Sequence, residues 1–210
     1  MRDSLSRRRF LGAGVGVLAT AGALGWLYRP RSIGTSLGDL AADPEGILNL
    51  PPGFSYQVLQ RAGDRMTDGF TMPEAPDGMA CFAGDNGTWV VMRNHEIHEG
   101  RPVDAALSFA GNRGGGVTRL VVDRESGALL SSNFVLTGTS RNCAGGPSPY
   151  GWLSCEEVEE PGHGYVFLCD ASASTLQAPH KLPALGRFPH EAAAFDEITG
   201  ITYLTEDKSD

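Results

Sequence analysis

A thiol, a glycine pair and two carboxylates are compressed into residues 141–157, RNCAGGPSPYGWLSCEE. Cys143 precedes Ala144-Gly145-Gly146-Pro147, a loop whose backbone can approach a bound ion or anion closely because glycine raises no side-chain wall. A thiolate there suits a transition metal, whereas calcium takes oxygen ligands. Glu156 and Glu157 follow a strand-like run at 150–155. Alternation along a strand sends neighbours to opposite faces, so at most one of the two carboxylates faces the same centre as the thiol. The plain alternative is a buried structural cysteine beside a solvated acidic turn that continues through Glu159 and Glu160.

Two further groups of residues have chemical potential. Arg93-Asn94-His95-Glu96 follows the strand-like run GTWVVM, with His98 and Glu99 just beyond. Taken alone, this cluster reads as a charged surface turn, and no HExxH helix spacing is present. The third group is Gly186-Arg187-Phe188-Pro189-His190-Glu191. Arg187 is of a type that pairs with a phosphoryl group through two parallel hydrogen bonds. His190 and Glu191 stand where a strand begins, and Glu206 and Asp207 stand where the next one ends. In an antiparallel hairpin those ends are adjacent, so the four side chains are expected either to converge or to form a salt-bridged rim.

The elements that must position these groups are strands. Residues 54–59 (FSYQVL) alternate apolar and polar and predict a first strand, and 64–78, broken by prolines and glycines, predict a loop that could line a site. Residues 87–92, 117–122 and 128–136 predict further strands, the last two joined by the turn Asp123-Arg124-Glu125-Ser126-Gly127. The same grammar returns where 165–169 runs into Asp170, and where 192–195 runs through Asp196 and Gly200 into 201–204. Successive hairpins without an amphipathic helix predict an all-β fold. A β-propeller is the leading version and a β-sandwich the alternative. At roughly 40 to 50 residues per blade, about three to four blades are expected. Asp210 directly follows a strand and a charged turn, so the propeller domain, residues 54–210, is expected to be incomplete at its C-terminus.

With 210 residues and 41% apolar side chains, the chain can bury a real core. A formal net charge of −8 leaves no basic face for nucleic acid, and an anionic substrate would need a local arginine or metal. Ser6-Arg7-Arg8-Arg9-Phe10-Leu11 resembles the twin-arginine export motif and leads into an apolar run at 11–28. Residues 1–30 are therefore expected to be a leader that engages the twin-arginine translocase and sends the protein to the periplasm or beyond. The leader is then the only contact with a membrane, and an uncleaved anchor is the competing reading. Residues 31–53 read as linker and entry loop. The four cysteines, Cys81, Cys143, Cys155 and Cys169, allow two disulfides in three connectivities, or free thiols with one ligand. No CxxC spacing is present.

Several of these stretches together resemble the PhoX-type alkaline phosphatase family: PDGMACF at 76–82, RNHE at 93–96, GTSRNCAGGPSPYGWLSCEE at 138–157, HGYVF at 163–167 and GRFPHEAAAFDEITGITYLTED at 186–207. The resemblance implies a β-propeller whose centre holds iron and calcium and acts on phosphate monoesters, with this chain an N-terminal fragment that is inactive alone. It implies Cys143 as iron ligand, Glu191 with one of Glu156 and Glu157 as metal-ligating carboxylates, and Asn94 and Glu96 as ligands to calcium. Arg187 stays a possible phosphate contact on its residue type. The alternative from another class is an exported propeller that binds calcium or a partner without catalysis.

Overall fold

The computed structural model describes residues 37–208. The leader expected at 1–30 lies outside the described residues. The chain divides into two compact units between Gln57 and Val58. In the first, Asp43 organises an irregular loop. Its carboxylate accepts the main-chain N–H groups of Glu45, Ile47 and Leu48 and the Tyr56 hydroxyl. These donors, led by Tyr56, hold its carboxyl down at about 2.

The second unit is built from antiparallel sheets. Strands β1 (Pro76–Ala83), β2 (Thr88–His95), β3 (Gly115–Asp123) and β4 (Leu129–Thr139) form a four-stranded meander in that order. Strands β5 (Asn142–Ser148), β6 (Gly151–Glu156) and β7 (Val166–Cys169) form a second sheet, and β8 (His190–Asp196) with β9 (Ile201–Glu206) a third. The only helical element among the described residues is a 3-10 turn, Pro183–Leu185. The fold is all-β, built from antiparallel sheets, and a four-stranded meander is consistent with the expected propeller.

The turns follow from local chemistry. Asp123 accepts the N–H and the hydroxyl of Ser126, and Gly127 closes the β3–β4 turn at φ 71°. Asp196 accepts from Ile198 and Thr199, and Gly200, at φ 70°, closes β8–β9. Asp170 makes the same turn with Ser172, but no hairpin strand follows it. The chain returns irregularly to bridge Phe167 with Lys181.

Two sequence expectations need correction. Residues 54–59 form no strand despite their alternation, because no segment among the described residues pairs with them. Strand β1 begins at Pro76, inside the stretch expected to be loop, and β2 runs on to His95, so Arg93, Asn94 and His95 lie within a strand.

Strand β6 is buried on both faces. Trp152 packs into one core with Phe167 of its own sheet and with Val90, Met92, Val117 and Val135 of the four-stranded sheet. Leu153 and Cys155 point the other way, into a core shared with Ala193 of β8 and Leu204 of β9. The middle sheet is therefore clamped between the other two, and alternation along β6 sorts its side chains between them. Two glycines permit the close approach. A Cβ on Gly146 would stand 1.8 Å from the Ala193 carbonyl oxygen, and one on Gly78 would stand 2.6 Å from the Ala144 Cα. Strand β5 thus meets β1 on one side and β8 on the other backbone to backbone.

Candidate metal centre

At the place where these three strands meet, each departs from regular pairing. The β1–β2 register shifts between Pro76 and Met79, the β5–β6 register between Asn142 and Gly145, and the β8–β9 register between His190 and Ala193. Asp77, Cys143 and Glu191 are the residues carried in these irregularities. A bulge re-aims a side chain that regular alternation would commit to one face.

The result is a cluster. Cys143, Glu157 and Glu191 each offer a ligand atom, all within 4.8 Å of one another. The Cys143 Sγ is 3.5 Å from Glu191 Oε2. Glu157 comes from the first residue past β6, on the side shared with Cys155 and β8. Glu156, on the opposite side, is fully buried. Its carboxylate accepts the N–H groups of Ser140 at 2.8 Å, Gly164 at 2.8 Å and Tyr165 at 3.1 Å, and contacts His163 Nδ1 at 2.9 Å. Glu156 therefore ties chain segments together and is not brought to the thiol.

Asn94 is also fully buried. Its amide nitrogen donates to the carbonyls of Cys143 at 3.0 Å and Ala144 at 2.7 Å. Its amide oxygen accepts from Trp152 Nε1 and Ser154 Oγ, both at 2.8 Å. All four of its bonds are used, so it braces the bulge that presents Cys143. Glu96 accepts from Arg141 through Nε at 3.1 Å and Nη2 at 3.0 Å. Arg187 donates to the main chain at Glu160 and His163 and is not brought to the cluster. His190 faces away from Glu191, buried against the Phe188 ring at 3.7 Å. It pairs in register with Glu206. The four cysteines are free thiols, so neither disulfide is formed.

Two residues of the site were not singled out from the sequence. Asp77 sits in a Pro-Asp-Gly that reads as a turn, and its only sequence signal is its place in the PDGMACF stretch. Arg141 heads RNCAGG, and its backbone is left-handed at φ 49°.

The cluster concentrates acidic groups in a half-buried place. Burial, then the negative charges of Asp77, Glu191 and Glu157, push the Cys143 thiol far above its ordinary range. Burial also raises Asp77 and Glu157. Arg141, held strongly protonated by Glu96, is the one counter-charge paired with a cluster carboxylate among the described residues. Acids that resist ionising together ionise readily once a metal replaces their protons. One sulfur with two carboxylates is a donor set that fits a transition metal, with carboxylate oxygens left over for a harder ion.

The family model described as alkaline phosphatase PhoX matches residues 35–134 and 128–210. No protein of curated function and no solved structure matches the chain. The match spans both the bulged strands and the acids they carry, and the chain belongs to the PhoX alkaline phosphatase family.

Proposed function

We propose that this protein is an exported, metal-dependent phosphoric monoester hydrolase whose iron and calcium ions are held in part by Cys143, Glu157 and Glu191. Family membership supports the phosphatase-like hydrolase function. The single observation that carries the metal site is the approach of the three ligand atoms to within 4.8 Å.

Bound cations would polarise the phosphoryl oxygens and bring an acidic protein's site to a sign that accepts an anionic ester. The chain's own residues prepare this. Cys143 would supply the sulfur to a bound ion, its thiol proton going to solvent. Glu157, just past β6, and Glu191 of β8 would supply oxygens. Asn94 fixes the carbonyls of Cys143 and Ala144, so the thiol is held in position before any ion arrives. The glycines at 78 and 146 keep the three backbones close enough for side chains of ordinary length to converge.

The remainder of the reading is that the sheets are blades of a β-propeller, that the twin-arginine translocase exports the chain, and that the substrate is a small phosphorylated molecule of the periplasm or the outside medium. The test is elemental analysis of the full-length protein beside a phosphomonoester assay. Iron and calcium should copurify with turnover, and Cys143→Ser should remove iron and turnover together. Calcium alone, with Cys143→Ser harmless and no ester cleaved, would establish the non-catalytic alternative and remove this reading.

A further inference from the structure

Arg141 is the one lysine or arginine with a left-handed backbone among the described residues. Its side chain is 43% exposed, yet its main chain is pinned on both sides. Its N–H donates to the Ile97 carbonyl, and its carbonyl accepts the N–H of Glu157. Between these anchors the residue adopts φ 49°, a conformation that disfavours any side chain with a Cβ. A part-exposed ion pair with Glu96 contributes too little to explain that choice, since such pairs are weak in water. What the left-handed backbone does achieve is to carry the guanidinium toward Glu157.

The guanidinium is half used. Nε and Nη2 both donate to the same oxygen, Oε1 of Glu96. Nη2 also reaches Glu157 Oε2, but only at 3.5 Å. Nη1 has no hydrogen-bond partner among the described residues. One edge of the planar fork is therefore locked to Glu96, while the Nη1–Nη2 edge is held only by a long contact that a stronger acceptor can replace. That edge has the spacing of two phosphoryl oxygens.

We infer that Arg141 is a substrate-binding residue of this site, clamping the phosphoryl group through its Nη1–Nη2 edge while Glu96 holds the Nε edge in place. This rests on the hydrolase reading of the same cluster, and it assigns the phosphate contact to Arg141 and not to Arg187. Glu96 acts through Arg141 as a positioning residue. The long Glu157 contact is exchanged on binding, which leaves the Glu157 oxygen to the metal.

The test is calorimetric titration of inorganic phosphate into the full-length, metal-loaded protein and into its Arg141→Gln and Arg141→Lys variants, with metal content measured for each. The expected result is a roughly 10- to 100-fold loss of phosphate affinity in Arg141→Gln, with a smaller loss in Arg141→Lys, which keeps the charge but not the fork. Metal content per chain should be unchanged, and KM for a phosphomonoester should rise in parallel. Arg141→Lys carries the test if the glutamine variant fails to fold. Equal phosphate affinity in wild type and variants overturns the inference and leaves the hydrolase reading intact. Loss of metal from the variants also overturns it, because Arg141 would then be a structural counter-charge. A wild-type protein that neither binds phosphate nor cleaves an ester overturns both.

Discussion

Cys143 Sγ lies 3.5 Å from Glu191 Oε2, and the two residues belong to register shifts in different sheets, β5–β6 and β8–β9. Their meeting depends on how closely β5 approaches β8, and hence on Gly146. A methyl group there would meet the Ala193 carbonyl oxygen at 1.8 Å, a contact relieved only by separating the strands. Gly146→Ala should therefore cost about 1–3 kcal/mol and also lower metal content. Gly111→Ala, where a Cβ meets nothing within 4 Å, should change neither. Thermal unfolding with elemental analysis of both variants checks the pair.

The adjacent glutamates are predicted to behave oppositely. Glu156 accepts three main-chain N–H groups while fully buried, so Glu156→Gln places an amide N–H₂ against donors and should cost about 3 kcal/mol of stability. Glu157 sits among other acids, and burial raises its carboxyl. Glu157→Gln should leave the metal-free protein as stable or more so, while weakening metal binding. Denaturant midpoints with and without metal separate the two.

Asn94→Ala would remove the partners of two carbonyls, an indole N–H and a hydroxyl at once. Each buried group left unsatisfied costs about 1–3 kcal/mol, so a total loss of at least about 3 kcal/mol is expected. Asn94→Asp keeps the acceptor for Trp152 and Ser154 but presents a carboxylate to two carbonyl oxygens. It should be no better tolerated, and chemical denaturation decides the matter.

These side chains also mark what the sequence could and could not tell. The aspartate turns at Asp123 and Asp196 were legible because each is closed by its own side chain and a glycine a few residues on. The strands flanking them were legible for the same local reason. Strand β5 was not, since Asn-Cys-Ala-Gly-Gly-Pro-Ser carries no apolar alternation and becomes a strand only by pairing with β6. Residues 54–59 show the converse, an alternating pattern with nothing to pair it. The cluster was half legible. Cys143 and Glu191 stood out by type and by family resemblance, but the choice of Glu157 over Glu156 required knowing which face of β6 meets β8. Asp77 and Arg141 depend on a register shift and a left-handed backbone that leave no pattern in the residue string.

His95 supplies a pH dependence. It is fully buried, with Nδ1 at 2.9 Å from the Glu74 carbonyl and Nε2 at 2.9 Å from Thr118 Oγ1. Thr118 already accepts from Arg93, so its own hydroxyl proton goes to Nε2 and the ring is neutral. Burial, aided by the Arg93 charge, lowers the ring to about 4 from an ordinary 6.5. Between those values the unfolded chain binds the proton and the folded one does not, so stability falls as pH drops from 6.5 toward 4 and is fully present above 6.5. The full shift corresponds to about 3 kcal/mol. Denaturant midpoints at pH 7 and pH 4.5 should differ in wild type, and His95→Gln should reduce the difference.

The metal site stands or falls on Cys143 ligating an ion together with Glu157 and Glu191. X-ray absorption at the iron edge of the purified full-length protein tests it most directly. The expected result is a sulfur scatterer in the first coordination shell that disappears in Cys143→Ser. A bound iron ringed by oxygen and nitrogen alone in the wild type, or a sulfur signal that survives the substitution, would contradict it.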